Sequence, residues 1–266
     1  LIKKKEKNLI RSHFEYYSPY LEISESQKYQ NEQNILKLDW NESSEDFPIA
    51  LKDIFIDEIK KSNFNFYPDL LSLDIRKSIA SKNKIKIENI SVFNGSDAAI
   101  DALSRLFIEV NDDVVIINPT YGNYAAIAQK YGANLVHYNI KEPFKINLDK
   151  LSKIIENSNP KLVFISNPNN PTGVITPIND LKFLIENFKS TIFVIDEAYI
   201  EFGGDSMIVD IDHYDNTYLL RTFSKAYGLA GARLGYAIAS PSSTNLLKFS
   251  KDNKEVSIFA QTLGSI

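Results

Sequence analysis

At 266 residues, with 44% hydrophobic and 24% charged residues, the chain has a globular composition and room for one large domain or two ordinary ones. Lys and Arg number 30 against 34 Asp and Glu, so no basic excess points to nucleic acid or an anionic membrane. The absence of cysteine excludes disulfides, thiolate metal sites and cysteine nucleophiles, and no run of apolar residues is long enough to span a membrane.

The start, Leu1-Ile-Lys-Lys-Lys-Glu-Lys7, lacks the apolar core of a signal peptide, so a cytoplasmic protein is expected. The chain begins without methionine and stops at Gly264-Ser-Ile266 in what reads as mid-helix, and both ends are expected to be incomplete. Residues 1–60 read as polar and irregular, apart from an amphipathic stretch near Ile49–Ile59. A short helix follows at Ser72–Ser81, with Leu73, Ile75 and Ile79 as its apolar positions. Asn94-Gly95-Ser96 reads as a turn and Asp97–Phe107 as a helix. Val114–Ile117 is a continuous apolar run, expected of a strand covered on both faces. Tyr121–Tyr131 (helix), Leu135–Tyr138 (strand), Leu162–Ser166 (strand) and Ile178–Phe188 (helix) continue the alternation. Ile192–Ile195, Thr217–Leu220 and Gly235–Ala239 complete the strands. This pattern predicts an α/β fold, a mostly parallel central sheet with helices on both faces. Ligands then gather at the carboxyl ends of the strands, where Asn167, Asp196 and Arg221 directly follow predicted strands.

The chemistry concentrates around Lys225, in Arg221-Thr-Phe-Ser-Lys225-Ala-Tyr-Gly-Leu-Ala-Gly-Ala-Arg233. A lysine forms an imine only when deprotonated, which burial or neighbouring positive charge favours, and no acidic residue lies between Thr217 and Arg233. Asp196 closes an apolar strand; a carboxylate buried there needs a cationic partner such as a protonated pyridine nitrogen, and a helix cap is the ordinary alternative. Tyr199, three residues on, could serve the same ring or simply pack in the core. Asn170 heads Asn-Pro-Thr-Gly, where it either caps the turn or is aimed by it at a ring oxygen. For a phosphate, Arg233 offers a fork, Thr222 and Ser224 offer hydroxyls, and Gly95-Ser96-Asp97 opens a helix with free N–H groups. Asp97 is expected to contribute backbone only, because its charge repels phosphate. Tyr121, after Asn118-Pro-Thr, could stack on a ring or be a core aromatic. The three histidines have no metal-ligand spacing, and Asp210-Ile-Asp212 reads as a solvated loop.

Taken together, Tyr67-Pro-Asp69, Asn94-Gly-Ser-Asp97, Asn118-Pro-Thr-Tyr121, Ser166-Asn-Pro-Asn-Asn-Pro-Thr-Gly173, Ile195-Asp-Glu-Ala-Tyr199 and Thr222–Arg233 resemble the fold-type I pyridoxal phosphate enzymes, in their histidinol-phosphate aminotransferase-like branch. The resemblance implies an enzyme with pyridoxal 5'-phosphate as cofactor. It implies Lys225 as Schiff-base lysine and proton shuttle, Asp196 on the pyridine nitrogen, Tyr199 and Asn170 on the ring oxygen and Tyr121 on the ring face. Ser96, Asp97, Thr222, Ser224 and Arg233 would surround the phosphate, with no metal. By the same likeness Tyr67 reaches the cofactor phosphate of a partner subunit, so a homodimer is expected. Residues 1–60 become an N-terminal arm and part of a small domain, 61–266 the large cofactor-binding domain, and the C-terminal small domain is expected beyond residue 266. Where the branch usually has an Asn-Glu-Asn-Pro-x-Gly-Pro type segment lining the substrate site, this chain reads Asp39-Trp-Asn-Glu-Ser-Ser-Glu-Asp-Phe-Pro48.

The implied reaction is transfer of an amino group between an amino acid, glutamate foremost, and a small phosphorylated carbonyl compound. Decarboxylation of a phosphorylated amino acid on the same scaffold is the alternative. A non-catalytic regulatory relative is the remote one, disfavoured by the full site set and the net charge of −4.

Overall fold

The computed structural model describes residues 11–15 and 37–266. Its centre is a seven-stranded sheet of β1 (Ile90–Phe93), β2 (Asp113–Asn118), β3 (Asn134–Asn139), β4 (Leu162–Ser166), β5 (Ile192–Asp196), β6 (Thr217–Thr222) and β7 (Gly235–Ile238). The spatial order is β1-β7-β6-β5-β4-β2-β3. All neighbouring pairs are parallel except those of β7, which runs antiparallel to both β1 and β6.

Helices cover both faces. On one side α2 (Leu73–Asn83), α5 (Leu148–Ser158), α6 (Ile178–Asn187) and α8 (Ile258–Ser265) pack through Ile79, Leu151, Leu184 and Ala260. On the other, α3 (Ser96–Phe107) and α4 (Asn123–Lys130) bury Ile100, Leu103, Tyr124 and Ile127. The central strands are buried along their whole length, which is why they read as continuous apolar runs. A first helix, α1 (Ile49–Lys60), has no buried residue, and α7 (Pro241–Leu246) follows β7.

Several expectations shift. Asp196 and Arg221 do not follow their strands but lie within β5 and β6, whose ladder bonds continue one and two residues past the apolar runs. Helix α4 starts at Asn123, which leaves Tyr121 on the loop after Pro119. The segment around Asp210 and Asp212 is a 3-10 helix over Met207–His213, with both carboxylates in ion pairs, to Lys182 and Lys86. β1 and α5 were not predicted. β1 is only four residues long, and α5 hides its stripe of Leu148, Leu151, Ile154 and Ile155 among lysines and glutamates. Asn147 caps α5 by accepting the Lys150 N–H at 2.9 Å.

If α5 docks through that stripe, Leu151→Ala should lower the unfolding free energy by about 2–5 kcal/mol in urea titration. Lys153→Ala, on the outer part of the same helix, should change it by no more than about 0.5 kcal/mol.

Candidate active site

The carboxyl ends of β4, β5 and β6 and the N-terminus of α3 enclose a cavity of about 790 Å³. Ser96, Asp97, Tyr121, Asn170, Asp196, Tyr199, Thr222, Ser224, Lys225 and Arg233 line it, whereas Asn167, Arg221 and Tyr67 do not. Tyr67 is 74% exposed, away from the cavity, with the Lys254 ammonium 4.0 Å from its ring centroid.

Asp196 forms the floor. It is 4% exposed, and no described cation lies within ion-pairing distance of it. Its Oδ2 accepts the Tyr124 hydroxyl at 2.6 Å and its Oδ1 the Ala198 N–H at 3.0 Å. Burial pushes the carboxyl up to about 6; these two donors pull it down, and the like charges of Asp97 and Glu197 push it further up. Tyr124 itself is held by a parallel stack on Phe164, with centroids 5.0 Å apart. The sequence analysis did not single out Tyr124, which lies in α4 three residues past Tyr121 and is buried.

Lys225 lies across the cavity, half-buried. Its Nζ donates to the Trp40 carbonyl at 2.7 Å and stands 5.8 Å from the Tyr199 ring centroid. Burial lowers its pKa, opposed by the charges of Asp97, Glu42 and Asp196 and aided by Arg233. The Tyr199 hydroxyl accepts from Asn41 Nδ2 at 2.8 Å. Trp40 and Asn41 therefore belong to the site, both with left-handed backbone, φ 61° and 50°. Strain of that kind gathers at functional sites. Their segment was singled out for departing from the family pattern, but nothing in its residue types told which atoms meet the lysine.

The opposite end gathers an arginine and a helix start. Helix α3 has no side-chain cap, so its first N–H groups point into the cavity unsatisfied by the helix. Gly95 (φ 85°) allows Arg233 to lie against it, since a Cβ there would come 2.8 Å from Arg233 Nη2. Gly235 lets β7 run under the helix start, where a Cβ would meet the Ser96 nitrogen at 2.4 Å. Thr222 and Ser224 are buried beside them, and Thr222 Oγ1 accepts the Ser224 N–H at 3.1 Å. The Asp97 side chain is engaged within the protein. Its carboxylate accepts from the Tyr121 hydroxyl at 3.1 Å and Asn123 Nδ2 at 3.2 Å, and pairs with Arg233 at 3.4 Å. The arginine offsets the charge that made a carboxylate look unwelcome.

These features meet the needs of pyridoxal phosphate. There is a buried carboxylate that forms no ion pair among the described residues, an amine whose proton is loosened by burial, and a helix start without a side-chain cap beside an arginine. Among the described residues no cluster of His, Asp and Glu could hold a metal, and no helix is long and apolar enough to cross a membrane.

Residues 33–264 match the family model of the class I and II aminotransferases. The chain belongs to this family of pyridoxal phosphate-dependent aminotransferases. It is 36% identical over 255 residues to a histidinol-phosphate aminotransferase of Thermococcus kodakarensis, covering 96% of this chain and 72% of that protein. A dihydroxyacetone phosphate transaminase of Campylobacter jejuni is 34% identical over 249 residues, covering 92% of this chain and 67% of that one. The crystal structure of histidinol-phosphate aminotransferase from Sinorhizobium meliloti in complex with pyridoxal-5'-phosphate superposes with a TM-score of 0.79 at 25% identity. That match covers 85% of this chain and 62% of the Sinorhizobium chain. The aminotransferase chain thus spans roughly two thirds of the length of these proteins.

The state of Asp196 can be checked in the cofactor-free aminotransferase. A carboxyl raised to about 6 keeps its proton in the folded chain at pH values where the unfolded chain has lost it. It therefore costs stability progressively as pH rises from about 4 to about 6. Asp196→Asn cannot ionise, so its stability relative to the parent should improve by roughly 3 kcal/mol between pH 4 and pH 8 in urea titration.

Proposed function

We propose that this chain binds pyridoxal phosphate through Lys225 and transfers the amino group of an amino acid, glutamate foremost, to a small phosphorylated carbonyl compound. The observation that carries the reading is one cavity with the Lys225 amine and the buried Asp196 carboxylate, unpaired among the described residues, on its walls and a helix N-terminus with Arg233 at its end. The phosphorylated acceptor is supported by the substrates named for the Thermococcus and Campylobacter relatives.

When bound, pyridoxal phosphate supplies an electron sink that stabilises negative charge at the substrate's Cα. Asp196 holds a proton on the ring nitrogen, and the Tyr124 hydroxyl fixes which carboxylate oxygen faces it. Tyr199, oriented by Asn41, and Asn170 donate to the ring oxygen. Tyr121, on its loop above Tyr124, packs against the ring. The first N–H groups of α3, the hydroxyls of Ser96, Thr222 and Ser224, and Arg233 hold the phosphate, while Asp97 keeps Arg233 from swinging outward. Lys225 Nζ, whose proton burial loosens, would be the group placed to take a proton from the substrate's Cα and return it across the same face. The working unit is a homodimer in which Tyr67, exposed next to the exposed Phe64, Phe66 and Leu71, contributes to a partner's phosphate site.

Adding pyridoxal phosphate and then L-glutamate should convert the bound cofactor to its amine form, followed by absorbance, with release of one keto acid. Bound cofactor that glutamate leaves unchanged would argue against the reading. Lys225→Ala should retain phosphate-end binding yet slow the glutamate half-reaction by at least on the order of 10²–10⁴-fold in stopped-flow.

A further inference from the structure

Behind the site, on the other face of the sheet, lies a buried ionic cluster that the reaction chemistry leaves untouched. Side chains alternate along a strand, so the residue after Asp196 and the residue before Thr222 both point away from the cavity. Those residues are Glu197 and Arg221, 1% and 7% exposed. Arg221 Nε donates to Glu197 Oε2 at 2.9 Å, and Nη2 reaches the same oxygen at 2.9 Å. The rest of the fork ties in other elements. Nη1 donates to Asn83 Oδ1, at the end of α2, at 2.7 Å, and Nη2 donates to the Ser206 hydroxyl at 2.9 Å. Ser206 in turn donates to Glu197 at 2.8 Å and caps the 3-10 helix by accepting the Ile208 N–H.

The position of this cluster is informative. Backbone pairing of β5 with β6 ends at Asp196 opposite Leu220, with one further bond from the Glu197 N–H to the Leu220 carbonyl at 2.8 Å. Beyond that point the Glu197–Arg221 pair, with Ser206 hydrogen-bonded to both, bridges the two strand ends. A buried ion pair is a poor device for stability, because two apolar residues of similar volume usually serve as well or better. What it supplies is fixed geometry, since a guanidinium fork satisfies several acceptors only in one arrangement.

We propose that Glu197 and Arg221 form a positioning clamp for the cofactor site, locking the ends of β5 and β6 so that Asp196 and Thr222 present their side chains to the cofactor in register. The proposal rests on the pyridoxal phosphate reading of the cavity. Neither residue touches the cofactor; each acts through the neighbour on the far side of its own strand. The clamp also keeps the Glu197 charge from standing uncompensated beside Asp196.

The test separates folding from positioning. The double variant Glu197→Met with Arg221→Met removes both charges of the pair together and strands neither, so its melting temperature should equal or exceed that of the parent. Arg221→Lys keeps the charge and loses the fork. Titrating the cofactor-free proteins with pyridoxal phosphate, the clamp predicts a dissociation constant raised by on the order of 10-fold to 10²-fold in the double variant, as expected for small misplacements. Arg221→Lys should show a smaller rise in the same direction. Parent affinity in a folded double variant or in a folded Arg221→Lys would overturn the proposal. So would loss of folding in both, which would make the pair a requirement of the fold. The parent protein in the same titration tests the cofactor reading by itself.

Discussion

A carboxylate buried at the end of a central strand, without an ion pair among the described residues, is the constraint on which the rest of this site depends. Asp196 has two hydrogen-bond donors, Tyr124 and the Ala198 N–H, and burial still holds its carboxyl near 6. An arrangement of this kind costs stability unless something positive completes it. It is tolerated where function uses it, and the neighbouring structure is shaped accordingly. Tyr124 is fixed by its stack on Phe164, and the Asp196 carbonyl accepts the Asn167 N–H at 2.8 Å. The next residue, Glu197, is turned away and neutralised by Arg221.

The opposite end of the cavity solves a complementary problem. On the proposed reading an anion there would meet the first N–H groups of α3 and the Arg233 guanidinium, yet Asp97 stands in the same first turn. Pairing with Arg233 and hydrogen bonds from Tyr121 and Asn123 absorb that carboxylate. Two glycines make the approach possible, because side chains at Gly95 and Gly235 would collide with Arg233 and with the start of the helix. Between the two ends, Lys225 is held by a backbone carbonyl of the N-terminal segment, so residues far apart in sequence close over the reacting position.

Much of this was legible in the sequence, for physical reasons. Strands covered on both faces must be apolar throughout, so β2, β4, β5 and β6 announced themselves, and the residues ending them were the natural site candidates. Charged residues inside or next to such runs, Asp196 above all, stood out because burial of charge needs a reason. The failures are equally specific. The stripe of α5 was diluted by exposed Lys150, Lys153 and Glu156, and β1 was too short to show a period. Tyr124 looked like one tyrosine among 14, since only the fold brings it to Asp196. Trp40 acts through its carbonyl oxygen, which every residue possesses, so no side-chain reading could find it. The pairing of Asp97 with Arg233 depends on a loop conformation that residue types do not encode.

The most direct measurement is the nitrogen-15 NMR spectrum of the protein loaded with ring-labelled pyridoxal phosphate. The account predicts that the ring nitrogen carries a proton at pH 8 and that Asp196→Asn removes it. A ring nitrogen that is unprotonated in the parent protein would contradict the assignment of Asp196 and, with it, the electrostatic logic of the site.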